Sequence, residues 1–183
     1  MATLDALIIG YLSHHRPKLR SHLAHYSSAP DIREAIARAS RADFEGPNIK
    51  HPHQYRLPKT AITSVFDKLS ANELILQDAT DFLQLYGIVS KAIGGVPDVG
   101  PLMIYDTALR IGAFLKVSPN DVFVQRGALG GAKNFFVHIR KKPRKIKVRY
   151  LPSSDFLPEL ARLSPHEIEN FLCVCEDELL LTR

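Results

Sequence analysis

The chain has 183 residues, of which 45% are hydrophobic and 23% are charged, and its formal net charge at neutral pH is +5. These fractions are ordinary for a globular protein and exclude a wholly disordered chain, a collagen-like chain or a disulfide scaffold. No apolar run approaches the roughly 18 residues of a membrane span. Asp5 ahead of the first apolar stretch argues against a secretory signal peptide. The length supports one domain over residues 1–183.

Apolar residues recur at helical spacing through the first two thirds of the chain, which predicts a mainly α-helical fold, a compact helical bundle. A loop rich in Pro and Gly interrupts the pattern over residues 43–58. The predicted helices cover residues 3–14, 17–28, 31–42, 59–69, 78–93 and 101–115, with a further helical turn at 72–77.

The last third of the chain is less uniform. DVFV, from Asp121, fits either a short strand or a helical turn, and residues 126–135 fit a helix interrupted by glycines. The alternation K-I-K-V-R-Y predicts a short basic β segment near residues 145–150. In an extended segment Lys145, Lys147 and Arg149 share one face, and Ile146, Val148 and Tyr150 share the other, which can dock on the helical body. Ser164 and Glu167 have the spacing of a capping box and predict a last helix to about residue 180. We expect the acidic segment 155–183 to pack on the rest of the domain.

The positive charge is local. No acidic residue lies between Asp121 and Asp155, and the interval carries nine basic residues. Such a cationic stripe is suited to polyanion binding, because each neutralised phosphate releases condensed counterions. A solvated basic loop is the alternative. The predicted contacts are Arg140, Lys141, Lys142, Arg144, Lys145, Lys147 and Arg149.

A second candidate surface is the sequence V-P-D-V-G-P at residues 96–101, between two apolar helices. It resembles the helix-hairpin-helix of DNA-binding proteins over about residues 83–117, with Asp98 in place of the first hairpin glycine. The resemblance implies that Gly100 and the backbone amides of Leu102 and Met103 bind a phosphate at a helix N-terminus. A purely structural turn between two helices is the alternative.

Three residues are candidates for catalysis. Asp121 follows Gly100 by 21 residues, which resembles the position of the catalytic Asp in base-excision DNA glycosylases, although Leu102 replaces the lysine of the bifunctional members. Asp106 stands four residues before Arg110 on one helix face, so the two can form a structural pair, or Arg110 can clamp a phosphate. His53 lies in a Pro-bounded loop and can contribute as a general base, a phosphate contact or a structural residue.

No phosphate-binding loop, nucleophile elbow or zinc-protease motif occurs. We therefore expect no cofactor and no metal. Cys173 and Cys175 are too close in sequence for a disulfide on one helix, and a reducing cytoplasm is the expected compartment. The stretches HQYR and GPLMIYDTALRIGAFL are similar to a group of bacterial proteins without an established activity, which implies no function.

The sequence thus predicts a small nucleic-acid-binding protein, with DNA as the expected partner, that contacts phosphates without reading bases. Two alternatives stay open. One is a nucleic-acid-processing enzyme, either glycosylase-like or a nuclease, and the other is an interaction subunit with an acidic protein partner. No membrane association is expected.

Overall fold

The computed structural model describes residues 3–43 and 57–182, and over these ranges the chain is mainly helical, as predicted. The first helices form one helical stretch, because a π-helical turn, Tyr11–His15, connects α1 to α2 without a break. The elements up to residue 115 are α1 (Leu4–Gly10), α2 (Arg16–Ser27), α3 (Ile32–Arg41), α4 (Lys59–Ser70), α5 (Glu73–Gln77), α6 (Phe82–Ile93) and α7 (Pro101–Leu115).

The remaining elements surround a small antiparallel sheet. They are β1 (Asp121–Phe123), α8 (Gly127–Asn134) with a π-helical turn at Phe135–Ile139, β2 (Tyr150–Pro152), a 3₁₀ turn at Ser153–Phe156, α9 (Pro165–Val174) and α10 (Glu176–Leu181). β1 pairs with β2, so that Val122 is opposite Leu151 and Phe123 is opposite Tyr150.

Side-chain caps explain several helix starts. Asp81 accepts a hydrogen bond from the Gln84 amide at 2.9 Å, so α6 begins at Phe82 rather than at residue 78. The predicted capping box of Ser164 and Glu167 is present at the start of α9. The last helix is divided at Cys175, whose backbone leaves the helical region, so α9 and α10 replace the single predicted helix.

The chain forms two compact units. Unit 1 comprises Met1–Leu19 and Asn120–Arg183, and unit 2 comprises Arg20–Pro119. The acidic C-terminal segment belongs to unit 1. That the two units fold together as a single domain stays a prediction.

In unit 1, α8 packs against α9 and α10, and β1 packs against α9. The core is rich in aromatic side chains, with Tyr11 edge-on to Phe171 at a ring-centroid distance of 5.6 Å. Three glycines of α8 permit this packing. A Cβ atom on Gly131 would lie 1.9 Å from the Leu172 carbonyl oxygen, so only glycine fits at this position.

In unit 2, α3 packs against α4 and α7, while α6 packs against α4 and α7. The helices α6 and α7 are joined by the turn at residues 94–100, and Val96 in that turn is buried. The predicted helix pair is therefore present, and α7 begins and ends at the predicted residues. No helix in the described ranges is long and apolar enough to cross a membrane.

The predicted β segment at residues 145–150 is displaced. The strand begins at Tyr150, and residues 145–149 have no regular secondary structure. The reason is that the partner strand is short, since β1 ends at Phe123 and α8 already begins at Gly127. Beyond Phe123 the ladder continues only with a hydrogen bond from the Val124 amide to the Arg149 carbonyl. Alternation in sequence cannot form a strand where no partner strand continues.

Candidate nucleic-acid interface

Residues 140–149, here called the basic segment, leave the helical body at the end of the π-helical turn. The chain turns at Lys141, which has a left-handed backbone with φ 52°, and the Lys142 amide donates to the Phe136 carbonyl at 2.8 Å. All ten residues are exposed except Arg140 and Ile146, which are half-buried. Most of the segment is therefore exposed to solvent.

Two arginines of the basic segment are occupied by carboxylates of unit 1. Arg140 donates two hydrogen bonds to Glu159, at 2.9 and 3.1 Å. Arg144 donates to Asp155, and its guanidinium lies 5.5 Å from the centroid of the Phe136 ring. These arginines attach the segment to the protein, because charge-assisted hydrogen bonds to carboxylates are stronger than hydrogen bonds between neutral groups.

The lysines differ from the arginines. Lys141, Lys142, Lys145 and Lys147 form no ion pair or side-chain hydrogen bond with any residue in 3–43 or 57–182. The nearby carboxylates of Asp155 and Glu159 are already engaged by arginines. The four ammonium groups therefore keep their charge available for an external anion.

The apolar residues of the basic segment do not form the single docked face that a strand would give. Ile146 is half-buried against the core of unit 1, but Val148 is 56% exposed, and Tyr150, the first residue after the segment, is 40% exposed. The prediction that Lys145, Lys147 and Arg149 share one face required an extended strand. It is corrected because residues 145–149 have no regular secondary structure. Arg149 is exposed, and its carbonyl belongs to the sheet ladder.

The helix-hairpin-helix candidate lies in unit 2 and is accessible. Gly94, Gly95, Pro97 and Asp98 are exposed, and Gly100 is half-buried. Asp98 occupies the left-handed region with φ 67°, the geometry for which glycine is preferred. A phosphate can therefore reach the turn from solvent.

Gly100 is the N-cap of α7, and no side chain caps this end of the helix. Pro101 lacks an amide hydrogen, so the first amides that can donate belong to Leu102 and Met103. The Leu102 side chain is half-buried and that of Met103 is buried. Any contribution of these two residues to a phosphate site therefore comes from their backbone amides.

Arg110 is corrected as a phosphate contact. Its side chain is buried, with the guanidinium 5.7 Å from the centroid of the Tyr26 ring and Nη2 3.9 Å from Asp106 Oδ2. Burial raises the pKa of Tyr26 to about 12, and the cation of Arg110 opposes that rise. Arg110 thus stabilises the interior of unit 2 instead of meeting a ligand at the surface.

The catalytic candidates lie in different units or outside the described residues. Asp106 belongs to unit 2 and pairs with Arg110, whereas Asp121 belongs to unit 1 and takes part in the sheet opposite Pro152. His53 lies outside the described residues. Within 3–43 and 57–182, no group of three His, Cys, Asp or Glu side chains is placed to hold a metal ion.

Sequence reasoning missed two features. The first is the pairing of Arg140 and Arg144 with the 153–159 region, which the clustering of acidic residues after Asp155 hinted at only in general terms. The second is the exposure of Tyr150, which the alternation assigned to a buried face. An aromatic residue at the end of a basic run was the available signal for the second feature.

Comparisons of the chain with family models, with curated proteins and with solved structures gave no match.

Proposed function

We propose that the protein binds nucleic acid without sequence preference, through phosphate contacts of the basic segment. The supporting observation is that the cations of the segment differ in their partners. Arg140 and Arg144 are paired with carboxylates. Lys142, Lys145 and Lys147 are exposed and have no such partner in the described part of the chain. Phosphates position a protein on a nucleic acid without specifying bases.

The turn at residues 94–100 is a second proposed contact, with Gly100 and the amides that follow it facing a phosphate. It acts independently of the lysines in this proposal, since it belongs to unit 2. An exposed turn and an uncapped helix start favour it.

We place this function in the cytoplasm. Cys173 and Cys175 form no disulfide within the described residues, which fits a reducing compartment. Burial, with a smaller effect of Glu178, raises the pKa of the Cys175 thiol to about 11, so it stays protonated and unreactive at neutral pH.

The test compares two variants with the same change in net charge. Lys142, Lys145 and Lys147 are replaced by Gln in one variant, and the exposed lysines Lys59, Lys68 and Lys91 are replaced by Gln in the other. Lys141 is left in place because its left-handed backbone makes any substitution a folding test as well. Binding to a DNA duplex is measured by fluorescence anisotropy across a salt series.

The slope of log affinity against log salt should become shallower by up to about 2.7 units in the first variant, since each lost phosphate contact removes about 0.9. The second variant should keep most of the slope. Equal slopes in both variants, with both proteins folded, would remove the basic segment from the binding surface.

A further inference from the structure

The side chain of Tyr150 is exposed, although it belongs to a strand whose next residue is buried, and the residue follows the uncompensated lysines in sequence. Leu151 is 1% exposed and contributes to the core of unit 1, whereas Tyr150 is 40% exposed. Alternate residues of a strand face opposite sides, so the sheet turns Tyr150 towards solvent.

The phenol ring has a fixed support. It lies on Phe123, its partner across the sheet, with the ring centroids 5.3 Å apart and the ring planes at 40°. Phe123 is fully buried, so the contact comes from the protein interior and holds one side of the Tyr150 ring. The backbone is held as well, by the ladder and by the bond from the Val124 amide to the Arg149 carbonyl at 2.9 Å.

A supported, half-exposed aromatic ring is suited to stacking. Because its backbone and one side of the ring are already ordered, Tyr150 loses little conformational freedom when a second planar group stacks on it. Val148, two residues earlier in the chain, is also exposed. The site therefore offers a platform for a flat apolar group that is attached to an anion.

The lysines are within reach of that anion. Lys147 and Lys145 precede Tyr150 by three and five residues, which is at most about 11 and 18 Å of extended chain. A nucleotide base on the ring would thus have its sugar–phosphate backbone beside the ammonium groups. In a duplex, bases stack on one another, but unpaired bases present their faces to aromatic side chains.

We propose that the ligand of the basic segment is single-stranded nucleic acid, with an unpaired base stacked on Tyr150 and the backbone phosphates on Lys142, Lys145 and Lys147. The inference rests on the proposed function and adds the class of nucleic acid to it. Stacking tolerates any base, which agrees with phosphate contacts that do not specify sequence.

The first experiment separates stacking from charge. Tyr150→Leu and Tyr150→Phe are titrated with oligo-dT, with oligo-rU and with a DNA hairpin duplex across a salt series. Tyr150→Leu should weaken binding to the single strands roughly 5- to 140-fold, leave the salt slope unchanged, and leave duplex binding unchanged. Tyr150→Phe should restore most of the affinity, and the ratio of dT to rU affinity reports whether DNA or RNA is preferred.

An abasic oligonucleotide of the same length supplies the matched ligand control. The wild type should bind it as weakly as Tyr150→Leu binds oligo-dT, and Tyr150→Leu should bind both ligands equally. If Tyr150→Leu binds oligo-dT as tightly as the wild type does, while Lys142, Lys145 and Lys147 still govern the salt slope, the stacking inference is overturned and the proposed function stands. If the lysines do not govern the slope either, both are overturned.

A second variant does not depend on the stability of Tyr150→Leu. The chain contains no Trp, so Tyr150→Trp places the only indole of the protein at the site. Stacking of thymine on that indole should quench its emission when oligo-dT saturates the protein, and the hairpin duplex should not. Unchanged emission at saturation, with binding verified by anisotropy, would overturn the inference.

Discussion

Glu167 is a buried carboxylate that accepts hydrogen bonds from an arginine side chain and from a backbone amide. It is 3% exposed, accepts a hydrogen bond from Arg16 Nε at 2.7 Å, and accepts another from the Ser164 amide at 3.0 Å. Burial opposes ionisation, but the bonds from Ser164 and Arg16 outweigh it and hold the pKa of Glu167 below its ordinary value. The ionised form is therefore stabilised by folding.

We expect Glu167→Gln to lower the free energy of unfolding by about 1–3 kcal/mol at pH 7, because Arg16 loses its anionic partner. A lowered folded-state pKa contributes stability above the unfolded value and loses it as the pH falls through the folded value. The difference between wild type and variant should therefore shrink below about pH 4.3. Urea unfolding at several pH values checks this, and a difference that grows on acidification would contradict it.

Arg110 tests whether a buried cation serves stability or binding. We expect Arg110→Met to lower the free energy of unfolding by about 3 kcal/mol, the lower end of the range for a broken buried pair, because the Asp106 side chain keeps 18% exposure. Affinity for nucleic acid should be unchanged while the protein is folded. Arg33→Met, at an exposed position of α3, is the control and should be near neutral. A loss of affinity in Arg110→Met without a loss of stability would restore the phosphate-clamp interpretation.

At the scale of the elements, the contact of α8 with α9 depends on the absence of one side chain. We expect Gly131→Ala to lower the free energy of unfolding by about 1–3 kcal/mol, because the new Cβ would meet the Leu172 carbonyl oxygen at 1.9 Å and must displace backbone. Gly87→Ala is the matched control. Gly87 is exposed in α6 and has nothing within 4 Å of the added Cβ, so alanine should stabilise by about 0.5–1 kcal/mol. Urea midpoints that move in the same direction would contradict this interpretation of α8.

The turn between α6 and α7 gives the second prediction for an element. We expect Asp98→Asn to raise affinity for a duplex by about 2- to 5-fold, because it removes a negative charge near the proposed phosphate while Asn still tolerates the left-handed backbone. Asp67→Asn on α4 makes the same charge change at another exposed position and serves as the control. Equal affinities of the two variants would exclude the turn from the binding surface.

For the whole molecule, the order of the chain couples the two units. Unit 1 is closed by contacts between the two ends of the chain, such as Tyr11 with Phe171 and Arg16 with Glu167, and about 100 residues of unit 2 lie between them. If unit 2 were unfolded, closing that loop would cost unit 1 about 4 kcal/mol, which is comparable to the stability of a whole domain.

We therefore expect one cooperative unfolding transition. Far-UV circular dichroism and tyrosine fluorescence should give the same urea midpoint, and the calorimetric and van't Hoff enthalpies should agree. Two separated transitions would show that the units unfold independently and would contradict the single-domain prediction.

The sequence alone determined the helices of unit 2 and most of their ends, because 3.6-residue periodicity and Pro101 at the start of α7 are local signals. The capping box of Ser164 likewise determined the start of α9 in unit 1. It also determined that the positive charge is concentrated after residue 125, since composition does not depend on folding. The candidate sites at the turn 94–100 and in the basic segment were visible for the same reason.

Only the tertiary structure decided which cations are available. By sequence, Arg110 is a candidate for a phosphate clamp at the surface. In the structure it is buried, because α7 packs on α3 and the Arg110 guanidinium lies over the Tyr26 ring. Arg140 and Arg144 are paired because the 153–159 region returns to them, a contact between residues 11 to 19 positions apart that no local pattern encodes. Tyr150 is exposed because it alternates with buried Leu151 in the strand, and the lysines before it lie outside the sheet because β1 ends at Phe123.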